Sequence, residues 1–282
     1  MRQRTLLIGA PSPLGRAIGD ELVARRHNVH GISRSGADGT ERLDVTDPVQ
    51  TLRMLRNVRP TRVVHLARPD LPDDPVSFID ATVEALHRFA LQCAEVGVER
   101  FVFASSAGVY GTAAAEPLKE TDATPAPTPY SQLKLRSEQA LADAATSSGL
   151  ATLSLRIFNA YGPGLTGSLI NRLVLGDTAP PVVRVIPHFV RDYIHSTDIA
   201  LAVGLALESG KSSAQVVNVG TGIGTSNTEL LALCPRAEYR SSNVSGAQSC
   251  SVADIGLART LWGFAPRVRL KEALRRPGSL LA

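Results

Sequence analysis

Three side chains of this sequence can share one reaction: Ser106, Tyr130 and Lys134. Tyr130 and Lys134 are four positions apart, so a helix sets them on one face. An ammonium beside a phenol favours the phenolate and lowers its pKa from about 10. Tyr130 is then a usable general acid/base near neutral pH. Ser106 follows the apolar run Phe101 to Ser105, a predicted strand whose end lets the serine donate a hydrogen bond to a substrate carbonyl. Such a set moves a proton to or from a sugar-type oxygen while a hydride moves at carbon.

A hydride needs a carrier, and the first part of the chain supplies a place for one. Leu6 to Gly9 reads as a short buried strand, and Gly9-Ala-Pro-Ser-Pro-Leu-Gly15 as the turn after it. Arg16 to Arg26 is an amphipathic helix with Ile18, Leu22 and Val23 inward, and Asn28 to Ile32 is the next strand. A strand, glycine turn, helix and strand of this size form a dinucleotide-binding unit with the pyrophosphate on the helix N-terminus. Gly9, Ser12, Pro13, Leu14 and Gly15 are therefore the expected phosphate contacts. Ser12 stands where a middle glycine would allow close approach, and Pro13 has no N–H to give. An acidic residue at the end of the second strand would hold the ribose 2′-hydroxyl of NAD. Ser33 and Arg34 stand there instead and suit a 2′-phosphate, which predicts NADP(H) rather than NAD. Asp44 and Val45 are placed beside the adenine, and Asp47-Pro48 has the form of a helix start.

Arg62 to Ala67 is a buried parallel strand by its apolar run, with His65 a packed strand-end histidine rather than a catalyst. Val76 to Val96 has helical periodicity, Arg100 to Ser105 is the strand that delivers the serines, and Glu116 to Pro129 is a proline-rich loop. Thr128-Pro-Tyr130 opens the helix that carries Lys134 and runs to about Ala145, and Ala151 to Ile157 is a further strand. This alternation predicts an α/β fold: a doubly wound, mostly parallel Rossmann sheet. Gly9, Arg34, His65, Ser105 and Ser106 all fall at strand C-terminal ends, on the rim where such sheets bind ligands. Beyond Ile157 the alternation loosens. Phe189 to His195 is a short strand, Ser196 caps a helix to Glu208, and Gln215 to Val219 is a strand. Thr225 to Leu233, Val252 to Leu261 and Leu270 to Arg275 read as helices. The predicted division is a dinucleotide-binding domain over 1–160 and a small C-terminal α/β substrate lobe over 161–282, with segments returning to the sheet.

The 282 residues suffice for one large α/β domain with a smaller lobe. Hydrophobic content of 44% and charged content of 20% are those of an ordinary soluble protein. No apolar run approaches the roughly 18 residues of a membrane span. The first residues lead directly into a strand and a glycine turn rather than a signal peptide, so the expected compartment is the cytoplasm. Cys93, Cys234 and Cys250 lack metal-ligand spacing, so no metal is expected. The net charge of +4 is modest and scattered, which argues against nucleic acid as a partner.

Gly9 to Gly15, Ser106, Tyr130 with Lys134, Arg156 to Gly162, Arg191-Asp-Tyr-Ile-His195 and Asn218-Val-Gly-Thr-Gly222 follow one another in that order. With them the chain resembles the extended short-chain dehydrogenase/reductases, the group of NDP-sugar epimerases, dehydratases and 4-ketoreductases. The resemblance covers nearly the whole chain, down to Ala253-Asp-Ile255 and Leu261-Trp-Gly-Phe-Ala-Pro266. It implies that Ser106, Tyr130 and Lys134 are catalytic, with Tyr130 and Lys134 also against the cofactor and Lys134 holding the nicotinamide ribose. It puts Leu66, Ala67, Arg68 and Ser105 beside the cofactor, and Ser106, Asn159 and Arg191 on a nucleotide-sugar, the last two at its diphosphate. Arg68 departs from the small residue usual there, and the segment between Gly164 and Arg191 is shorter than the usual substrate-binding region.

Ala107 and Gly108 stand where the family's dehydratases carry Asp-Glu, which argues against loss of water and against a decarboxylase that uses the Glu. The NADP expectation points to net reduction. The expected activity is that of an NADPH-dependent ketoreductase acting on a nucleotide-linked 4-keto-6-deoxysugar, with Tyr130 as general acid. Three other readings stay open: an NAD-dependent NDP-sugar 4-epimerase, a ketoreductase of a non-sugar, polyketide-like ketone, and a non-catalytic NADPH-binding module. Helices 76–96 and 130–145 can pair across a two-fold axis, which would make a homodimer.

Overall fold

The computed structural model describes residues 3–67, 70–111, 117–175, 180–184, 189–210, 214–235, 237–242 and 249–275. Its first half alternates strands and helices: β1 (Arg4–Ile8), α1 (Pro13–Ala24), β2 (Asn28–Ser33), β3 (Glu41–Arg42), α2 (Pro48–Val58), β4 (Arg62–His65), α3 (Pro75–Glu95), β5 (Arg100–Ser106), α4 (Pro129–Ser148) and β6 (Ala151–Ile157). The second half contains β7 (Asn159–Tyr161), α5 (Leu169–Leu175), β8 (Val182–Arg184), β9 (Phe189–His195), α6 (Ser196–Glu208), β10 (Ala214–Val219) and β11 (Gly224–Ser226). It ends with α7 (Asn227–Leu233), β12 (Arg240–Ser242), β13 (Ser249–Ser251), α8 (Gly256–Trp262) and α9 (Leu270–Arg275).

Seven strands form one sheet in the order β10-β6-β5-β4-β1-β2-β3, and every pairing in it is parallel. The strands are apolar on both faces because helices cover both. β1 shows how the period of two sorts them. Leu7 packs with Ile18 and Leu22 of α1 and with α6, whereas Leu6 and Ile8 face Met54 and Leu55 of α2 and Phe89 of α3. The chain leaves β1 toward β2 on one side, and β4 lies on the other. A crevice therefore opens beyond the C-terminal ends of β1 and β4, where such sheets take their ligands.

β10 and α6 come from the second half of the chain, yet β10 pairs with β6 at the sheet edge and α6 packs on α1. A smaller sheet is built on β9, which pairs with β7, β11 and β13. α5, α7 and α9 supply its own apolar cluster around Tyr161, Ile170 and Leu230.

Four local expectations are corrected. Val23 is 62% exposed, because the buried stripe of α1 runs through Gly15, Ile18 and Leu22 and Val23 lies about 100° further round. His195, not Ser196, caps α6, and its ring accepts from Thr197 N. The stretch from Val252 is not helical until Gly256. β13 pairs in parallel with β9, and Leu118 bridges Ala253. Ala253 and Ile255 are drawn into an apolar cluster with Val109, Tyr110 and Leu118, which outweighs their helix-like spacing. Likewise Thr225 belongs to β11, and α7 begins after the Ser226 cap. No described helix is long and apolar enough to cross a membrane.

Candidate active site

β5 and the N-terminus of α4 bring Ser106, Tyr130 and Lys134 together. Thr128 caps α4 in a reciprocal box with Ser131, and Pro129 opens its first turn. That fixes Tyr130 in the first turn and Lys134 one turn later. Lys134 is buried at 3% exposure, its Nζ donates to Ala104 O of β5 at 2.7 Å, and it lies 5.7 Å from the centre of the Tyr130 ring. The short helical turn after β5, Ala107–Tyr110, begins with Ser106 as its cap. Ser106 Oγ accepts from Gly108 N at 3.1 Å, which leaves its own hydrogen to be donated outward. A methyl at Gly108 would stand 4.0 Å from Ser131 Cβ, so this turn lies against the first turn of α4. Ser106, Tyr130 and Lys134 therefore meet at one rim of the sheet.

Ser105 points elsewhere. Its hydroxyl donates to the buried carboxylate of Glu138, which also takes Arg156 at 2.8 Å. Glu138 was not among the residues singled out from the sequence. The signal was present: it lies four residues beyond Lys134, a charge on the stripe of α4 that faces the sheet.

The β1–α1 turn has the shape of a dinucleotide cradle. A Cβ on Gly15 would stand 2.2 Å from Gly9 O and 2.6 Å from Ala10 O, so no side chain fits there. Gly9 has φ +85°, the left-handed region that glycine occupies without strain, and its Cα faces Leu66 and Ala67 across the crevice. Ser12 caps α1 by accepting from Gly15 N at 3.0 Å, and Pro13 carries no N–H. The turn fits a dinucleotide, with fewer free donors than an all-glycine turn. Leu14 lies in the first turn of α1, partly buried against the core.

At the end of β2, Ser33 Oγ accepts from Gly36 N at 2.9 Å and bonds Thr40 Oγ1 at 2.7 Å. Arg34 is exposed. Asp44 is exposed too, its carboxylate accepting from Thr46 N and Oγ1, and Val45 beside it is half-buried. Arg68 lies outside the described residues.

Asn159 and Arg191 lie on paired strands of the smaller sheet, β7 and β9. Asn159 Nδ2 donates to Asp192 O at 3.0 Å. Arg191 donates to Ser249 O at 2.9 Å and Ser249 Oγ at 2.8 Å, with its guanidinium 3.8 Å from the centre of the Phe189 ring. Asp192 is fully buried and accepts from the backbone of Thr221, Gly222 and Ala253. Burial raises its pKa, and those donors work in the opposite direction. His65 is buried among Phe89, Phe101 and Phe103. Burial first, and the nearby Lys134 charge second, bring its pKa down to about 3, so it is neutral in use. No cluster of His, Cys, Asp and Glu suited to a metal occurs among the described residues.

Residues 5–220 match the model of the NAD dependent epimerase/dehydratase family. A UDP-glucose 4-epimerase of Rhizobium leguminosarum bv. trifolii is 29% identical over 271 residues, 82% of this chain and 80% of its own length. Among solved structures, the UDP-glucose 4-epimerase from Brucella ovis in complex with NAD superposes with a TM-score of 0.86 at 25% identity, over 99% of both chains. MoeE5 in complex with UDP-glucose and NAD gives 0.84 at 27% identity, over 98% of this chain and 97% of its own.

Proposed function

Because the chain belongs to the NAD dependent epimerase/dehydratase family, we propose that it is an NAD-dependent 4-epimerase of a UDP-sugar. Family membership makes it a nicotinamide-dependent enzyme of the oxidoreductase type that acts on small molecules. The observation that carries the reaction class is the convergence of Ser106, Tyr130 and a buried Lys134 beyond β5. The choice of epimerase over reductase is supported by the 4-epimerases among its relatives, several of them solved with NAD. Both readings require the same groups, so the earlier expectation of an NADPH-dependent ketoreductase becomes the second reading.

A bound nicotinamide supplies a reversible hydride acceptor at carbon. Tyr130 takes the proton from the C4 hydroxyl and returns it after the sugar has presented its other face. Ser106 donates a hydrogen bond to the same oxygen, and Lys134 steadies charge on the phenol oxygen. Ala107 and Gly108 put no acid beside the sugar, so the keto form is held without a group to expel water. Asn159 and Arg191 are proposed to meet the diphosphate.

One observation favours the second reading: the end of β2 carries Ser33 and an exposed Arg34 in place of a carboxylate. A single experiment separates the two. The purified protein is given UDP-galactose with no added cofactor, and its bound nucleotide is identified after denaturation. Formation of UDP-glucose together with release of NAD is expected. No conversion even with added NAD, but NADPH consumption with a UDP-4-keto-6-deoxysugar, would replace the epimerase by the ketoreductase. In that case Arg34→Asp should remove the NADPH preference.

A further inference from the structure

We infer that Glu138, through its ion pair with Arg156, is a positioning residue that sets how α4 seats on β5, and so where Tyr130 and Lys134 stand relative to Ser106. The inference rests on the reading of Tyr130 as the proton carrier.

The pair is almost wholly out of water, with side-chain exposures of 6% for Arg156 and 5% for Glu138. Arg156 Nε lies 3.1 and 3.2 Å from the two carboxylate oxygens and Nη2 lies 2.8 Å from one, a two-pronged contact that allows one relative orientation. Burial works against the Arg156 charge, and contact with Glu138 outweighs it, so the arginine pKa lies above its usual value. A buried ion pair is a poor way to gain stability, since well-packed apolar side chains of similar volume do as well or better. What it adds is geometric definition, and its location says of what. Glu138 follows Lys134 by one turn of α4. Ala104 holds Lys134, Ser105 holds Glu138, and the next residue of the same strand is Ser106. Two adjacent β5 residues thus fasten two successive turns of the helix that presents Tyr130.

The other side of Arg156 is held as firmly. Its Nη1 donates to Glu120 O at 3.2 Å, and its guanidinium lies 4.8 Å from the centre of the Tyr110 ring. Tyr110 donates to Asn218 Oδ1 at 2.7 Å. Tyr110 closes the turn that Ser106 opens, so one polar chain touches both sides of the reacting set. His65, a titratable group beside Lys134, is neutral and does not change charge over the working pH range.

The test uses cofactor-loaded enzyme and three variants: Ser105→Ala, Glu138→Gln, and the paired Glu138→Leu/Arg156→Met. Melting temperature, KM, and kcat between about pH 5 and pH 10 are measured, and tyrosinate absorbance is followed with Tyr130→Phe as the blank. The paired variant should melt close to wild type. Its kcat should fall about tenfold or more with KM within about twofold, and the acid limb of the kcat profile and the Tyr130 tyrosinate signal should move up by about one pH unit. Ser105→Ala and Glu138→Gln should shift the limb in the same direction, Ser105→Ala by less. A folded paired variant with wild-type kcat and acid limb overturns the inference. Should that variant fail to fold, an unshifted limb and unchanged kcat in Ser105→Ala overturn it equally. Full turnover in Tyr130→Phe is a different signature: it removes the acid/base reading itself, and this inference with it.

Discussion

His65 shows how one buried side chain ties stability to pH. Its ring lies 5.8 to 6.4 Å from the centres of three phenylalanine rings, and its Nδ1 is buried without a hydrogen-bond partner. The folded chain therefore holds a neutral imidazole down to about pH 3, whereas the unfolded chain takes up a proton near 6.5. The folded pKa is the lower one, so the stabilisation is complete above about pH 6.5 and is lost as pH falls from there toward 3, at about 1.4 kcal/mol per pH unit. Urea unfolding at about pH 7 and pH 5 should cost wild type about 2 kcal/mol more than it costs His65→Leu. Equal losses in the two proteins would show that the imidazole is not held neutral. At this scale Ser106, Tyr130 and Lys134 were legible because a residue type and a spacing suffice to suggest their chemistry. Glu138 was not, because its meaning depends on Arg156 and Ser105, which only the folded sheet brings to it.

At the scale of elements, the β1–α1 turn is the tightest joint of the site. Gly15→Ala would drive a methyl into Gly9 O and Ala10 O, so the turn must open and α1 must shift. The expected outcome is a loss of about 3 kcal/mol of stability and a cofactor affinity at least tenfold weaker. Thermal melts and NAD titration check it, and wild-type values in both would mean that the turn is slack. Elements defined by their own residues were read closely: β6, β9 and α9 run over the expected residues, and α4 begins at the expected proline. Elements defined by a neighbour were not. Val252 to Ile255 has spacing that a helix would accept, but β13 before it is committed to β9 and Leu118 reaches Ala253. Ser196 looks like a cap, yet the ring of His195 reaches Thr197 first.

For the molecule as a whole, β1, β2, β4 and β5, at whose C-terminal ends the proposed cofactor site lies, are strands of one sheet. Binding there should stabilise the sheet as a unit. NAD at about one hundred times its Kd should raise unfolding free energy by about 2.7 kcal/mol in a single transition, with NADP giving less on the epimerase reading. A thermal melt series with each nucleotide checks this, and the reverse order would favour the ketoreductase. The sequence by itself determined the alternation of strand and helix, the glycine turn and the Ser106, Tyr130 and Lys134 set. Each of these is written in periods and short spacings that chain neighbours enforce. Only the tertiary structure decided that β10 returns to pair with β6, that Asp192 gathers donors from Thr221, Gly222 and Ala253, and that Glu138 and Arg156 lock α4 onto β5. Those contacts join residues far apart in the chain, and burial, not local preference, selects them.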